Sequence, residues 1–319
     1  MIKVSAPGKL MLFGEHAVVH GRPCIVVSVD HRINVSLEKR DGNKIYLDAP
    51  DVAVKNYIAS LDDLEKPFPK ETRFVFGAIK NFFEKHNLKS GLNIKTESES
   101  LSKFGLGSSS AVIVSTIKGL AELFGIRMNN KELFDLSYKT VLDIQEVGSG
   151  FDVAAAIYGK TLYFVTAGKI IKSMEVKELP IIVCYTGIKA DTPTLVKMVY
   201  KKLSEEPKKI NKIFDEIEKI VNLAKIEIEN SNWEKVGRLM NLNQNLLREL
   251  GVSSKKLEDL ISTALNSGAF GAKLSGAGGG DCMIAIADKE KLNNVKEALE
   301  KAGGKIIDAK LQTEGVKLG

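Results

Sequence analysis

The chain has 319 residues, enough for one large domain or two of ordinary size. Hydrophobic residues make up 44% and charged residues 27%, the balance of a globular chain with a sizeable core, and no apolar run approaches the ~20 residues of a membrane helix. The 46 basic and 40 acidic residues leave a net charge of +6 spread along the sequence; with aromatics at only 7% and no basic stripe, a small anionic substrate is expected and nucleic acid is not.

The N-terminal third reads as strand-rich. Residues 25–29 form a continuous apolar run, and Ile33, Val35 and Leu37 alternate with polar residues as a half-buried strand does. Asp41-Gly42-Asn43 marks a turn, and Ile45 and Leu47 begin the return strand. Residues 72–87 carry a helical stripe of Phe74, Ala78 and Phe82 beside Val75, Ile79 and Phe83. Leu92 and Ile94 suggest a strand, and residues 111–124 a helix stopped by Gly125. Helical patterns over 131–145 and 153–158 precede a strand at 161–165. The polar, Lys-rich stretch 169–178 is the expected connector between two α+β halves. Beyond it come a buried strand at 181–184 and helices at 194–203, 210–229, 233–250 and 254–266. Strands at 272–274, 282–287 and 305–309 and a helix at 289–302 complete the chain.

Cys24, Cys184 and Cys282 form no CxxC pair, and the four histidines include no HExxH, which argues against structural zinc. The first residues, Met1-Ile2-Lys3-Val4-Ser5, lack a signal-peptide pattern, so the cytoplasm with reduced thiols is the expected location.

Three glycine-rich segments carry the chemistry. The most informative is Lys103-Phe104-Gly105-Leu106-Gly107-Ser108-Ser109-Ser110-Ala111, which opens an apolar helix. A helix N-terminus offers unpaired N–H groups and partial positive charge, and glycines let the backbone approach a ligand, so a polyphosphate fits here. Ser108 and Ser110 equally suit helix capping. The other two segments are expected as loops. One is Ala6-Pro7-Gly8-Lys9, running on to Gly14-Glu15-His16 and Gly21, and the other is Lys273-Leu274-Ser275-Gly276-Ala277-Gly278-Gly279-Gly280-Asp281-Cys282. The Walker pattern is absent: Gly159-Lys160-Thr161 lacks its earlier glycine, which is Ala154 here. The Rossmann spacing also fails after Gly105-Leu106-Gly107, and the protein-kinase signatures are missing.

Together the three segments resemble the superfamily named for galactokinase, homoserine kinase, mevalonate kinase and phosphomevalonate kinase, the GHMP kinases, over nearly the whole chain from Ala6 onward. The resemblance implies a two-domain α+β fold with the active site in the cleft between the domains. Residues 1–168 would hold the phosphate loop and the catalytic aspartate, and residues 169–319 a ferredoxin-like core. It implies ATP and Mg²⁺ as cofactors, with residues Lys103, Gly105, Leu106, Gly107, Ser108, Ser109, Ser110 and Ala111 around the phosphates and Gly276, Gly278 and Gly279 closing beside them. Ser109 matches a serine that helps hold Mg²⁺. Asp152 matches the aspartate near the acceptor hydroxyl, and Lys9 the lysine paired with it. Glu15, His16, Thr192 and Gly278 are the implied substrate contacts, and a homodimer is plausible by analogy. This is chemically sensible, because phosphoryl transfer asks mainly for positioning and charge neutralisation. Asp152 also suits a helix cap after Gly150.

The stretches Leu12–Gly21, Gly237-Arg238-Leu239-Met240-Asn241 and Gly268–Lys273 resemble the branch acting on mevalonate, which implies phosphorylation of its 5-hydroxyl in isoprenoid precursor synthesis. Lys103-Phe104 and Gly280-Asp281-Cys282 resemble instead the branch acting on 5-phosphomevalonate. Where the family carries a metal-binding glutamate, eleven residues before Asp152, this chain has Val141; Asp143 and Glu146 are the nearby alternatives, though a helix places Asp143 on a different face from residue 141. That departure also leaves open a non-catalytic ATP-binding relative.

Overall fold

The computed structural model describes residues 1–98 and 104–319, so Lys103, expected beside the phosphates, lies outside the described residues. In chain order the first elements are β1 (Ile2–Phe13), β2 (Pro23–Arg40), β3 (Lys44–Ala49), β4 (Val54–Ser60), α1 (Arg73–His86), β5 (Gly91–Ser98), α2 (Ser108–Leu123), α3 (Asn130–Gln145), α4 (Phe151–Tyr158), β6 (Thr161–Val165) and β7 (Ile170–Ser173). They are followed by β8 (Ile181–Tyr185), α5 (Thr192–Glu205), α6 (Pro207–Glu229), α7 (Trp233–Leu250), α8 (Lys255–Asn266), β9 (Gly271–Ser275), β10 (Cys282–Ile286), α9 (Leu292–Lys301), β11 (Lys305–Ile307) and β12 (Lys317–Leu318).

Two sheets organise these elements. The larger runs β12-β1-β2-β5-β3-β4, with β6 and β7 attached beside β2; among the described residues only the β3–β5 pairing is parallel. Helices α1, α2 and α3 pack together, and α2 lies on β1 and β2. Val75, Phe76, Ile79, Phe82 and Phe83 of α1 are buried, each large side chain contributing roughly 1.5–3 kcal/mol of transfer free energy. The smaller sheet is antiparallel in the order β11-β8-β10-β9. With helices between β8 and β9 and between β10 and β11, this is the ferredoxin-like arrangement that the resemblance implied.

Several elements differ from the sequence reading. Residues 6–13, expected as part of a glycine-rich loop, lie inside the 12-residue strand β1. Pro7 and Gly8 are accommodated there by a register shift against β2: Pro7 pairs with Arg32 and Gly8 with Val29, so the bulge lies on β2 at residues 30–31. The two expected runs around 25–37 are one 18-residue strand, carried through Asp30-His31-Arg32. Arg32 donates to the Ser5, Glu314 and Gly315 carbonyls there. Strands β4, β7 and β12 were not expected; they are short and mostly exposed, so no apolar alternation announces them. The tail returns to the first sheet, where Val4 pairs with Leu318 and Gly159 with Glu314.

The edge of β9 is closed by helix α7 through direct backbone contact. A Cβ on Gly271 would meet the Gly237 carbonyl oxygen at 2.0 Å, and one on Gly237 would meet the Phe270 backbone carbonyl carbon at 2.6 Å. One turn along, Asn241 accepts from the Ala272 amide at 3.1 Å and Gln244 accepts from the Leu274 amide at 3.0 Å. The helix thus satisfies a strand edge that would otherwise expose its amides.

Candidate active site

The 105–107 turn is stitched to β1 through Lys9. The Lys9 amide donates to the Leu106 carbonyl at 2.8 Å, and its ammonium donates to the Gly105 carbonyl at 3.3 Å. Gly107 has φ +85°, and a Cβ there would lie 2.9 Å from Cγ of Lys9, so the lysine stem occupies the space a side chain would need. Gly107 is also the N-cap of α2, and no side chain caps this helix start. The serines expected to cap therefore leave the first-turn amides open to a ligand. Ser110 instead donates to Oδ2 of Asp152 at 2.5 Å.

Asp152 is the second residue of α4, after Gly150 in the left-handed N-cap position. Its Oδ1 accepts from the Val153 amide at 3.1 Å. The Lys9 ammonium stands 5.5 Å from the Phe151 ring centroid. Burial pulls the Lys9 pKa down, while the charges of Asp152 and then Asp281 pull it back up. Lys9, Asp152, Ser110 and the 105–107 turn thus converge from three separate elements.

The third glycine segment closes against this turn. A Cβ on Gly105 would run into the Asp281 carboxylate at 2.1 Å. Asp281 accepts from the Ala190 amide at 3.1 Å and pairs with Lys189 at 3.4 Å. The Cys282 thiol donates to the Phe104 carbonyl at 3.3 Å, and burial pushes its pKa up to about 12, so it stays a thiol. Gly279 donates to the Val252 carbonyl at 2.8 Å, and Gly278 lies so close to the same carbonyl that a Cβ would sit 2.1 Å from it.

Residues 14–16 meet the same segment from β1. His16 has φ +60°, and its Nε2 donates to the Ala277 carbonyl at 2.9 Å; a carbonyl only accepts, so Nδ1 is left as an acceptor. Burial holds the His16 pKa below its usual value, with the Ala277 carbonyl opposing. Glu15, expected to contact substrate, has a fully buried carboxylate bonded to the equally buried Lys273 ammonium, so it does not face the cleft. Burial pushes the Glu15 pKa up and the Lys273 pKa down, each opposed by the other's charge.

Other expected residues are not brought to this group. Thr192 is an exposed first residue of α5 and makes no bond to Asp152. Asp143 is held by Lys139 at 2.6 Å and by Asn81 at 2.8 Å, on the side of α3 that faces α1. Val141 is buried, its Cγ1 against Gly148. Among the described residues no group of three histidine, cysteine or acidic side chains is placed to hold a metal ion. A cavity of about 370 Å³ opens beside the start of α2, where Ser108 and Ser109 meet Lys70, Arg73, Phe74 and Val112. The sequence reading missed this wall. Phe74 packs on the core and also lines this cavity; its place at the very start of the amphipathic stripe, beside Arg73, is the available signal.

Residues 73–160 match the family model described as GHMP kinases N terminal domain, and residues 222–305 match GHMP kinases C terminal. The chain is 36% identical to the mevalonate kinase of Pyrococcus abyssi, across 100% of this chain and 98% of that one. It is 35% identical to the mevalonate kinase of Thermococcus sibiricus, across 99% and 98%. The crystal structure of the Methanococcus jannaschii mevalonate kinase shares 27% identity and a TM-score of 0.83 over 98% of both chains. The chain therefore belongs to the GHMP kinase family. Within that family the relatives just described are archaeal mevalonate kinases. No helix among the described residues is long and apolar enough to cross a membrane.

Proposed function

We propose that this small-molecule kinase transfers the γ-phosphoryl group of ATP to the 5-hydroxyl of mevalonate, in the cytoplasm. The observation that carries the reading is the convergence of Lys9, Asp152 and the open start of α2, in a chain with full-length identity to mevalonate kinases. The triphosphate runs along residues 105–111, and the nucleoside fills the cavity between Phe74, Arg73 and Val112. Gly276, Gly278 and Gly279 cover the phosphates from the other side. Lys9 offsets charge on the transferring group, an effect worth most where water is excluded. Asp152 accepts a hydrogen bond from the acceptor hydroxyl and takes its proton as the new O–P bond forms and the bond to the β-phosphate oxygen breaks.

Mg²⁺ carried in on the nucleotide would be held chiefly by the nucleotide, with the Ser109 hydroxyl and the Asp152 carboxylate as the donors this chain would offer. A site built from protein carboxylates alone does not fit, since Val141 is apolar and Asp143 is committed elsewhere. When bound, such an ion would supply positive charge to offset that of the phosphates. Neutral His16 presents Nδ1 as an acceptor, which suits an acceptor hydroxyl.

A second reading, 5-phosphomevalonate as acceptor, is favoured by the exposed Lys189 ammonium beside the third glycine segment, although Asp281 offsets its charge at 3.4 Å. A coupled assay of ADP release separates the two. Turnover with mevalonate and little with 5-phosphomevalonate, homoserine or galactose is expected; the reverse preference moves the assignment to the phosphorylated acceptor.

A further inference from the structure

Three alternate residues of the β9 segment, Lys273, Ser275 and Ala277, reach across to the first sheet. Period-2 alternation puts the Lys273 and Ser275 side chains on one face of the strand, and Ala277 takes part through its backbone carbonyl. Ser275 Oγ accepts from the Met11 amide at 3.2 Å and donates to the Met11 carbonyl at 2.8 Å. Ala277 accepts from His16. Lys273 donates to Glu15 and, at 2.6 Å, to the Leu274 carbonyl. Lys273 and Glu15 are both completely buried, and 258 residues apart in sequence.

A fully buried ion pair is a poor source of net stability, because desolvating both charges offsets most of their attraction. Its physical strength is directional: each charge is tolerated only in the arrangement that keeps the other beside it. Here the pair sits one residue from His16, whose backbone is itself in the left-handed region that a non-glycine residue rarely adopts. We infer that Glu15 and Lys273 are positioning residues: their buried bond clamps the 14–16 turn to the third glycine segment and so fixes the His16 ring against Ala277 for acceptor binding. The inference rests on the proposed reading of His16 as an acceptor contact. It gives Lys273, a residue outside the set expected from sequence, a role in acceptor recognition and withdraws Glu15 from direct contact.

The test uses the full chain and five variants: Lys273→Met, Glu15→Gln, the double variant Glu15→Gln/Lys273→Met, His16→Gln, and the triple variant that combines all three changes. Either single change leaves one charge buried alone and lowers the thermal midpoint. The double change leaves no orphan charge, and its midpoint recovers towards that of the parent. Steady-state KM for the acceptor is measured well below every midpoint, alongside calorimetric affinity for a non-hydrolysable ATP analogue. The expected result for the double variant is an acceptor KM raised about tenfold to a hundredfold, the scale on which loss of orientation acts, with nucleotide affinity unchanged. In a His16→Gln background the same double change adds little further. A double variant with normal acceptor KM, or a rise of undiminished size in the His16→Gln background, overturns the inference. If His16→Gln alone leaves the acceptor KM unaltered, His16 is not an acceptor contact, and it is the underlying reading that fails.

Discussion

The hydroxyl of Ser110 donates to Oδ2 of Asp152 at 2.5 Å, so the helix that opens after the 105–107 turn is bonded to the carboxylate proposed to face the acceptor. Both residues belong to short helical starts, Ser110 in α2 and Asp152 in α4, and neither element alone sets their separation. Removing the hydroxyl should loosen the carboxylate without emptying the site. Ser110→Ala is expected to lose about 10- to 100-fold in kcat, the worth of a hydrogen bond to a charged group, with KM for ATP nearly unchanged. Asp152→Asn should lose more, while ATP still binds. Equal and small losses in both variants would leave Asp152 as a helix-start residue only.

Gly107 and Lys9 make a second coupled pair. The glycine has φ +85°, and the lysine stem fills the place of its missing side chain. Gly107→Ala should therefore be strained in backbone and should displace Lys9 as well, costing roughly 1–2 kcal/mol of stability for the left-handed backbone alone. Lys9→Met keeps much of the packing and removes the charge. It is expected to lower kcat about 10²- to 10³-fold with little change in thermal midpoint. Steady-state kinetics beside thermal unfolding separates the two effects; a Lys9→Met enzyme with near-normal kcat would return Lys9 to a packing role.

The long helices were legible because burial follows a 3.6-residue period over many turns. The stop at Gly251 and the cap at Ser254, which accepts from the Leu257 amide, lie where local chemistry asks for them. Residues 105–111 and Asp152 were legible because glycine, serine and aspartate at helix starts carry their own constraints. Glu15 and Lys273 could be read only as single letters. The available signal was one charge inside the otherwise small and apolar strand Gly271–Ser275, which demands a partner but cannot name it. The placement of Lys9 within a strand was hidden for a related reason. Pro7 and Gly8 read locally as loop, and only pairing with β2, through the register shift, keeps them extended.

The contact between Gly237 and Gly271 gives a prediction about stability rather than chemistry. A methyl group on Gly237 would stand 2.5 Å from the Phe270 Cβ and would push α7 away from β9. Gly237→Ala should cost about 1–3 kcal/mol, the range for overpacking, and weaken the Asn241 and Gln244 bonds to the strand edge. Measured well below the unfolding transition, kcat and both KM values should remain close to those of the parent. A loss of kcat without a fall in thermal midpoint would contradict this division between scaffold and site.

Acid should destabilise the fold through His20. Its ring stacks on Phe214 at 4.6 Å and meets Tyr200 edge-on at 4.7 Å. Burial, with the nearby charges of His16 and Arg22, pulls its pKa from 6.5 to about 4. Between those values the unfolded chain binds more protons than the folded one, so stability rises with pH across this window. The contribution is complete above about 6.5 and is lost progressively as pH falls towards 4. His16, also held below its usual value, acts in the same direction. Thermal midpoints measured from pH 7.5 down to 4.5 should therefore fall, at low and at high salt. His20→Gln should start lower at neutral pH, having lost the stack on Phe214, but should decline less steeply. A slope as steep as that of the parent would assign the acid loss to other groups and leave His20 a packing residue whose charge state does not matter.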